Sequence, residues 1–124
     1  KHAKLLNQAC EGLSKKMNIC IQVNIDREQS KSGILIEDLD DLVINILPLN
    51  NLILRGLMAI PSKINALKEN INSYKILKAE YDRLSSEYIH MDTLSIGMSN
   101  DYKLALDNGS NMIRIGTLIF GNRK

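Results

Sequence analysis

The chain has 124 residues, of which 44% are hydrophobic and 24% charged, a composition typical of one globular domain or less. A net charge of +2, 4% aromatic residues and no Trp argue against nucleic acid as a partner. No apolar run approaches the ~20 residues that span a bilayer, and no signal-peptide pattern begins the chain. We therefore expect a cytoplasmic protein without a membrane partner. Because the first residue is Lys1 and not Met, we also expect a fragment or a processed product.

Helical and strand-like patterns alternate along the first half of the chain. Apolar residues at helical spacing predict a helix over 2–17, and a β-branched run predicts a strand over 19–25. A polar loop over 26–33 leads to an amphipathic helix over 36–47, which Pro48 ends.

The same alternation continues in the second half. The predicted elements are a strand over 52–60 stopped by Pro61, a helix from 64 to about 86, a strand over 93–96, a helix over 101–107, a strand over 112–115 and a last turn through Phe120. Such alternation predicts parallel strands, buried on both faces and joined by right-handed crossovers. A doubly wound sheet and an arc of a (β/α)8 barrel both fit, and both place the site in loops after the carboxyl ends of strands.

Two turns rich in Gly, Ser and Thr follow the last two predicted strands. The first is Gly97-Met98-Ser99-Asn100, and the second is Gly116-Thr117, just after Arg114. Backbone N–H groups and hydroxyls in such turns can converge on one anion. With a fixed positive charge beside them, they predict a cradle for a phosphorylated cofactor.

Other reactive residues give no catalytic or metal-binding pattern. Cys10 and Cys20 are isolated and predict two free, buried thiols in a reducing compartment. His90 and Asp92 precede a strand, at the end of the sheet that is not functional in these folds. No His/Cys cluster has metal-ligand spacing, and no catalytic triad can be assembled. We predict no catalytic residue and no metal ligand.

Four ordered blocks resemble the pyridoxal 5′-phosphate homeostasis protein family. They are Ser30–Gly33, Leu54–Pro61, Leu94–Asp101 with Gly109-Ser110, and Arg114–Gly121. The resemblance implies an α/β fold in which residues 1–124 are the C-terminal half of a (β/α)8 barrel like the alanine racemase N-terminal domain, with about four parallel strands and outer helices. A whole barrel of this type takes ~250 residues. It also implies pyridoxal 5′-phosphate at the mouth, with the Schiff-base lysine in the other half.

The resemblance assigns roles to residues in both turns. Ser99, Gly116 and Thr117 match the phosphate ligands, although Ser99 or Asn100 could instead cap the following helix. Arg114 matches the partner of the pyridine nitrogen. Arginine keeps its proton and can only donate, so the ring nitrogen would stay unprotonated. The alternative for Arg114 is a salt bridge at the end of a strand.

Three further positions are less specific. Lys31 lies in the Ser-Lys-Ser-Gly loop and would reach the phosphate or a second ligand at the rim, unless it is a solvated loop lysine. Met58 would pack against the cofactor ring or belong to the core. Asn111 stands where the family usually has Thr, and we expect it at a helix–strand junction.

The resemblance implies a protein that holds pyridoxal phosphate and supplies or buffers it for apo-enzymes without catalysis. One alternative is an amino-acid racemase, whose barrel is followed by a β domain carrying a catalytic tyrosine. Another is an inert fragment with unpaired strand edges.

Overall fold

Four parallel strands lie side by side in chain order in the computed structural model, which describes residues 1–62 and 71–121. They are β1 (Met17–Val23), β2 (Leu52–Ala59), β3 (Thr93–Met98) and β4 (Met112–Arg114). The described helices are α1 (His2–Ala9), α2 (Leu39–Ile46, after a 3-10 turn over Ile36–Asp38), α3 (Asn72–Glu87), α4 (Tyr102–Asp107) and α5 (Thr117–Phe120). The predicted α/β alternation is confirmed.

The strand order distinguishes between the two predicted architectures. A doubly wound sheet reverses its strand order at a switch point, whereas a barrel adds each strand beside the previous one. The order here is β1-β2-β3-β4, with parallel pairing at each step. The described sheet is therefore an arc of the barrel type.

Helices cover one face of this sheet, and the hydrophobic core lies between them and the strands. The strands contribute Ile21, Val23, Leu54, Leu57, Ala59, Leu94 and Ile96, and the helices contribute Leu39, Val43, Ile46, Tyr74, Leu77, Leu84 and Ala105. The other, concave face carries residues such as Gln22, Met58 and Ser95, which share one register line across β1, β2 and β3. The prediction that β1 is buried on both faces is wrong. Met17, Asn18 and Cys20 are exposed, because nothing covers the concave face and the outer edge of this strand in the described structure.

The first predicted helix was too long. Helix α1 ends at Ala9, and Met17 is the first residue of β1 and not the last of a helix. The C-cap is Cys10, and Gly12, two residues further on, has φ of +80°, a left-handed conformation that glycine adopts at little cost and that does not continue a helix. The predicted helix over 64–86 is described only as α3, because residues 63–70 lie outside the described ranges.

A glycine at the end of β3 sets the distance between this strand and α4. Gly97 has φ of +109°, and a Cβ built there would lie 2.6 Å from the Cβ of Ala105. Only glycine accommodates both the conformation and the contact without a shift. The close approach brings α4 and the turn before it onto the carboxyl end of β3. Across residues 1–62 and 71–121, no helix has the length and apolar character needed to cross a bilayer.

Candidate cofactor-binding site

The turn after β3 is closed by a reciprocal pair of hydrogen bonds between its first and last residues. The Asp101 backbone N–H donates to the Met98 carbonyl at 3.1 Å, and the Met98 N–H donates to Asp101 Oδ1 at 2.7 Å. Asp101 is only 7% exposed, so these bonds form at the buried base of the turn. The ring constrains Ser99 and Asn100, the two residues between them. Helix α4 has Asp101 as its N-cap and no side-chain cap, so the capping alternative for Ser99 or Asn100 was wrong.

Ser99 connects this turn to the turn after β4. Its hydroxyl oxygen accepts hydrogen bonds from the backbone N–H groups of Gly116 and Leu118, each at 3.3 Å. These bonds are longer than the roughly 2.9–3.0 Å usual for N–H···O contacts, and a stronger acceptor can replace the hydroxyl. Thr117 lies between the two donors and is exposed. The fold thus brings the three predicted phosphate ligands to one place, open to solvent.

Arg114 lies in register with Met98 at the end of β4, and its side chain reaches across the sheet. Its Nη2 donates to the Ala59 carbonyl at the carboxyl end of β2, at 2.8 Å. Its Nε is buried and has no hydrogen-bond partner in the part of the chain that the structure describes. Burial lowers the pKa of Arg114, and the negative charge of Asp101 opposes that shift. Arg114 forms no ion pair with any described residue, so the described structure does not contain the salt bridge that was the alternative role for Arg114.

Lys31 lies at the mouth, where its ammonium holds the loop to the end of β2. Its Nζ donates to the carbonyls of Ile60 (3.1 Å) and Pro61 (2.9 Å), just after β2, and forms an ion pair with Glu28 Oε1 at 2.8 Å. Within the described ranges Glu28 Oε1 accepts no hydrogen bond, so the two carbonyls use two of the three N–H donors of the ammonium. One N–H of Lys31 is therefore left for a further acceptor.

Met58 lies on the concave face of β2. Its neighbours in sequence, Leu57 and Ala59, point into the core and are fully buried, whereas Met58 is half-buried beside Gln22 and Ser95. Met58 therefore lies outside the core between the sheet and its helices, because strand side chains alternate between faces. It lies on the face that forms the packed interior of a whole (β/α)8 barrel. Ring packing by Met58 stays a prediction.

A buried, hydrogen-bonded pair that the sequence did not predict, Tyr74 and Asp101, lies beneath the turn after β3, which contains Ser99 (the Ser99 turn). The Tyr74 hydroxyl on α3 donates to Asp101 Oδ2 at 2.6 Å, and Tyr74 is 1% exposed. Burial raises the pKa of Tyr74, and its bond to Asp101 raises it further. In the sequence Tyr74 looks like an ordinary apolar helix position. The spacing of Asp101, three residues after Met98, is the only local signal for this arrangement.

Two polar residues hold β4 against β3. The buried Ser110 hydroxyl donates to the Ile96 carbonyl at 2.6 Å. Asn111 lies between α4 and β4, and its side chain accepts from the Leu94 N–H at 2.8 Å and donates to the Asp92 carbonyl at 2.7 Å. The Asn111 amide thereby extends the pairing beyond the short strand β4, which explains how the chain accommodates its departure from the family's Thr.

The opposite end of the sheet carries an ion pair and a cavity. Asp92 forms an ion pair with Arg55, and His90 lines a cavity of about 450 Å³ at the amino ends of β1 and β2. Over the two described ranges, no group of His, Cys, Asp and Glu could hold a metal ion. Cys10 is buried and Cys20 is exposed, and both are free thiols. The expected burial of Cys20 was wrong because its strand edge and concave face are uncovered.

Comparison with known proteins identifies the family. The family model of the alanine racemase N-terminal domain matches residues 1–124. The pyridoxal phosphate homeostasis protein of Escherichia coli (strain K12) is 44% identical over 107 residues, which are 86% of this chain and 46% of that protein. The protein of the same name from Vibrio alginolyticus is 39% identical over 123 residues, covering 99% of this chain and 53% of that protein. The chain spans about half the length of the curated relatives it matches.

Solved structures agree with this result. PipY of Synechococcus elongatus PCC7942 without pyridoxal phosphate superposes with a TM-score of 0.85 at 27% identity, over 96% of this chain and 56% of that one. PipY with the cofactor bound gives 0.80 at 26% identity over the same shares. From its sequence match and its parallel sheet, the chain belongs to the alanine racemase N-terminal domain family.

Proposed function

We propose that this chain holds pyridoxal 5′-phosphate at the carboxyl ends of β3 and β4, as part of a cytoplasmic protein that buffers the cofactor and supplies it to apo-enzymes. The relatives named above are pyridoxal phosphate homeostasis proteins, and one solved PipY structure contains the cofactor. The observation that carries the proposal is Arg114, whose buried Nε–H has no partner among residues 1–62 and 71–121. A buried donor of this kind usually has a partner in the functional state of the protein.

The phosphate group fits the two linked turns. The Ser99 hydroxyl and the backbone N–H groups of Gly116 and Leu118 already converge, and the exposed Thr117 hydroxyl lies between them. The Ser99 hydroxyl has one donor besides its acceptor sites, so it can donate to the phosphate, and the long bonds that it accepts allow phosphate oxygens to take over the two N–H groups. Amides and hydroxyls arranged in this way suit a dianion.

The pyridine ring fits beside Arg114 and Met58. The Arg114 guanidinium keeps its proton, so it donates to the ring nitrogen and leaves that nitrogen unprotonated. Pyridoxal phosphate supplies an aldehyde that captures amines and a ring that withdraws electrons, most strongly when the ring is protonated. Donation from Arg114 thus weakens electron withdrawal, which racemases of this fold tolerate and which suits a carrier better. Met58 supplies an apolar contact to the ring from the concave face. Lys31 mainly keeps the neighbouring loop in place, and its contact with the phosphate is secondary to that role.

A test of this function needs a complete barrel. A chimera in which this chain replaces the matching half of the Escherichia coli relative provides one, and the unmodified relative is the positive control for binding. We expect the chimera to bind pyridoxal phosphate in equilibrium dialysis and to exchange the α-proton of alanine with deuterated water negligibly. Exchange at rates of ordinary enzymes, roughly 1–1000 per second, would establish a racemase-type activity instead. Absence of binding in a folded chimera would contradict the cofactor site itself.

A further inference from the structure

We propose that Asp101 is a positioning residue for the phosphate end of the site, acting through the turn that presents Ser99 and anchored from the core by Tyr74. This inference rests on the proposed function and extends it to two residues that do not touch the cofactor in the proposed site. Asp101 accepts hydrogen bonds on both carboxylate oxygens, from groups that belong to different parts of the fold.

The first oxygen fixes the shape of the turn. Oδ1 accepts from the Met98 N–H at 2.7 Å, while the Asp101 N–H donates to the Met98 carbonyl at 3.1 Å. Ser99 lies inside this closed ring, so its hydroxyl has a defined position relative to the N–H groups of Gly116 and Leu118. Loss of the carboxylate bond leaves the turn with only its backbone bond.

The second oxygen connects the turn to the core. Oδ2 accepts from the hydroxyl of Tyr74 at 2.6 Å, and Tyr74 is packed on α3 among buried apolar residues. Since both side chains are almost fully buried, water does not compete for this bond. The position of the turn that contains Ser99 is therefore set by Tyr74 on α3, which precedes Asp101 by 27 residues in the chain.

The positioning role of Asp101 depends on its two acceptor oxygens. One oxygen accepts from the Met98 N–H within the turn, and the other accepts from the Tyr74 hydroxyl on α3. An asparagine cannot accept both bonds in the same way, because its amide has a single acceptor oxygen.

Asp101→Asn and Tyr74→Phe test the role of this pair, and Asp107→Asn is the matched control. Asp107 is exposed at the far end of α4, so its substitution makes the same chemical change away from the turn. The ligand is pyridoxine 5′-phosphate, the alcohol form, which has no aldehyde and cannot react with lysines. Binding is measured by calorimetry in the Escherichia coli chimera, whose barrel is complete.

We expect Asp101→Asn to weaken binding by about tenfold and Tyr74→Phe by less, with Asp107→Asn unchanged. Hydrogen exchange at the Met98 amide should accelerate in Asp101→Asn but not in the control. These measurements are made below the unfolding temperature of every variant, which separates loss of the turn from loss of the fold.

Combination with Ser99→Ala separates positioning from a general structural effect. If Asp101 acts through Ser99, the double variant should bind only about tenfold more weakly than the unchanged protein, whereas independent effects would multiply to about a hundredfold. Multiplying effects, or wild-type affinity in Asp101→Asn, would overturn the positioning role while leaving the proposed function intact. Absence of binding in the unchanged chimera would overturn both.

Discussion

Removal of the Ser99 hydroxyl tests the link between the two turns most directly. In the structure this hydroxyl accepts from the Gly116 and Leu118 N–H groups, and in the proposed complex it donates to the phosphate. Ser99→Ala deletes one donor to a dianion and leaves the backbone of both turns unchanged. Thr117→Val is the parallel substitution in the second turn, because valine keeps the shape of threonine and lacks its hydroxyl.

The expected magnitude follows from the type of bond and its exposure. A hydrogen bond to a charged group contributes about 1.5–3 kcal/mol, and a tenfold change in affinity corresponds to roughly 1.4 kcal/mol. The range is therefore about 10- to 100-fold in affinity. Ser99 is half-buried and Thr117 is exposed, so solvent weakens both bonds and the lower end is expected, about tenfold for each.

Equilibrium dialysis of pyridoxal phosphate against the chimeric barrel measures both losses. Asn100→Ala, an exposed change in the same turn, controls for altered turn flexibility and should bind nearly as well as the unchanged protein. Thermal unfolding of each variant controls for stability. If Ser99→Ala and Thr117→Val both retain full affinity, the two turns have only a structural role and the phosphate assignment is refuted.

Three other substitutions or labels test separate parts of the structure. Arg114→Met keeps a long side chain but removes every hydrogen-bond donor. Equilibrium dialysis should then show that cofactor affinity is reduced by about tenfold or more. An unchanged affinity would mean that Arg114 does not face the pyridine ring. Gly97→Ala should lower the free energy of unfolding by roughly 1–3 kcal/mol because of the positive φ, and further because the new Cβ meets the packed helix α4. Urea unfolding measures this change, and Gly116→Ala is the control because a Cβ at Gly116 has no neighbouring atom within 4 Å. Equal stability of the two variants would refute the reasoning. A thiol reagent should label Cys20 before Cys10, and mass spectrometry identifies the site. Since desolvation of the thiolate and the negative charge of Asp92 raise the pKa of Cys20, its labelling should continue to accelerate above the pH at which an ordinary thiol levels off, and a profile shifted to lower pH would contradict this.

The sequence by itself determined the fold class, because its signals are local. Pro48 and Pro61 end elements wherever they occur, and apolar periodicity distinguishes strands from helices without knowledge of the fold. The Gly, Ser and Thr residues after the last two strands identified the turns of the candidate site for the same reason. The end of α1 was missed because a run of helical spacing continues past Gly12, whose left-handed conformation the pattern does not reveal.

The tertiary structure alone decided which of these residues meet. The hydrogen bond from Arg114 to the Ala59 carbonyl depends on the register of three strands. The hydrogen bond from Lys31 to the Ile60 carbonyl depends on where β2 ends. Tyr74 and Asp101 lie 27 residues apart, and their bond exists only because α3 packs on the sheet beside the turn. Sequence spacing specifies the local conformation of each segment, whereas contacts between distant segments are set by strand register and helix packing, which the burial of the whole core determines.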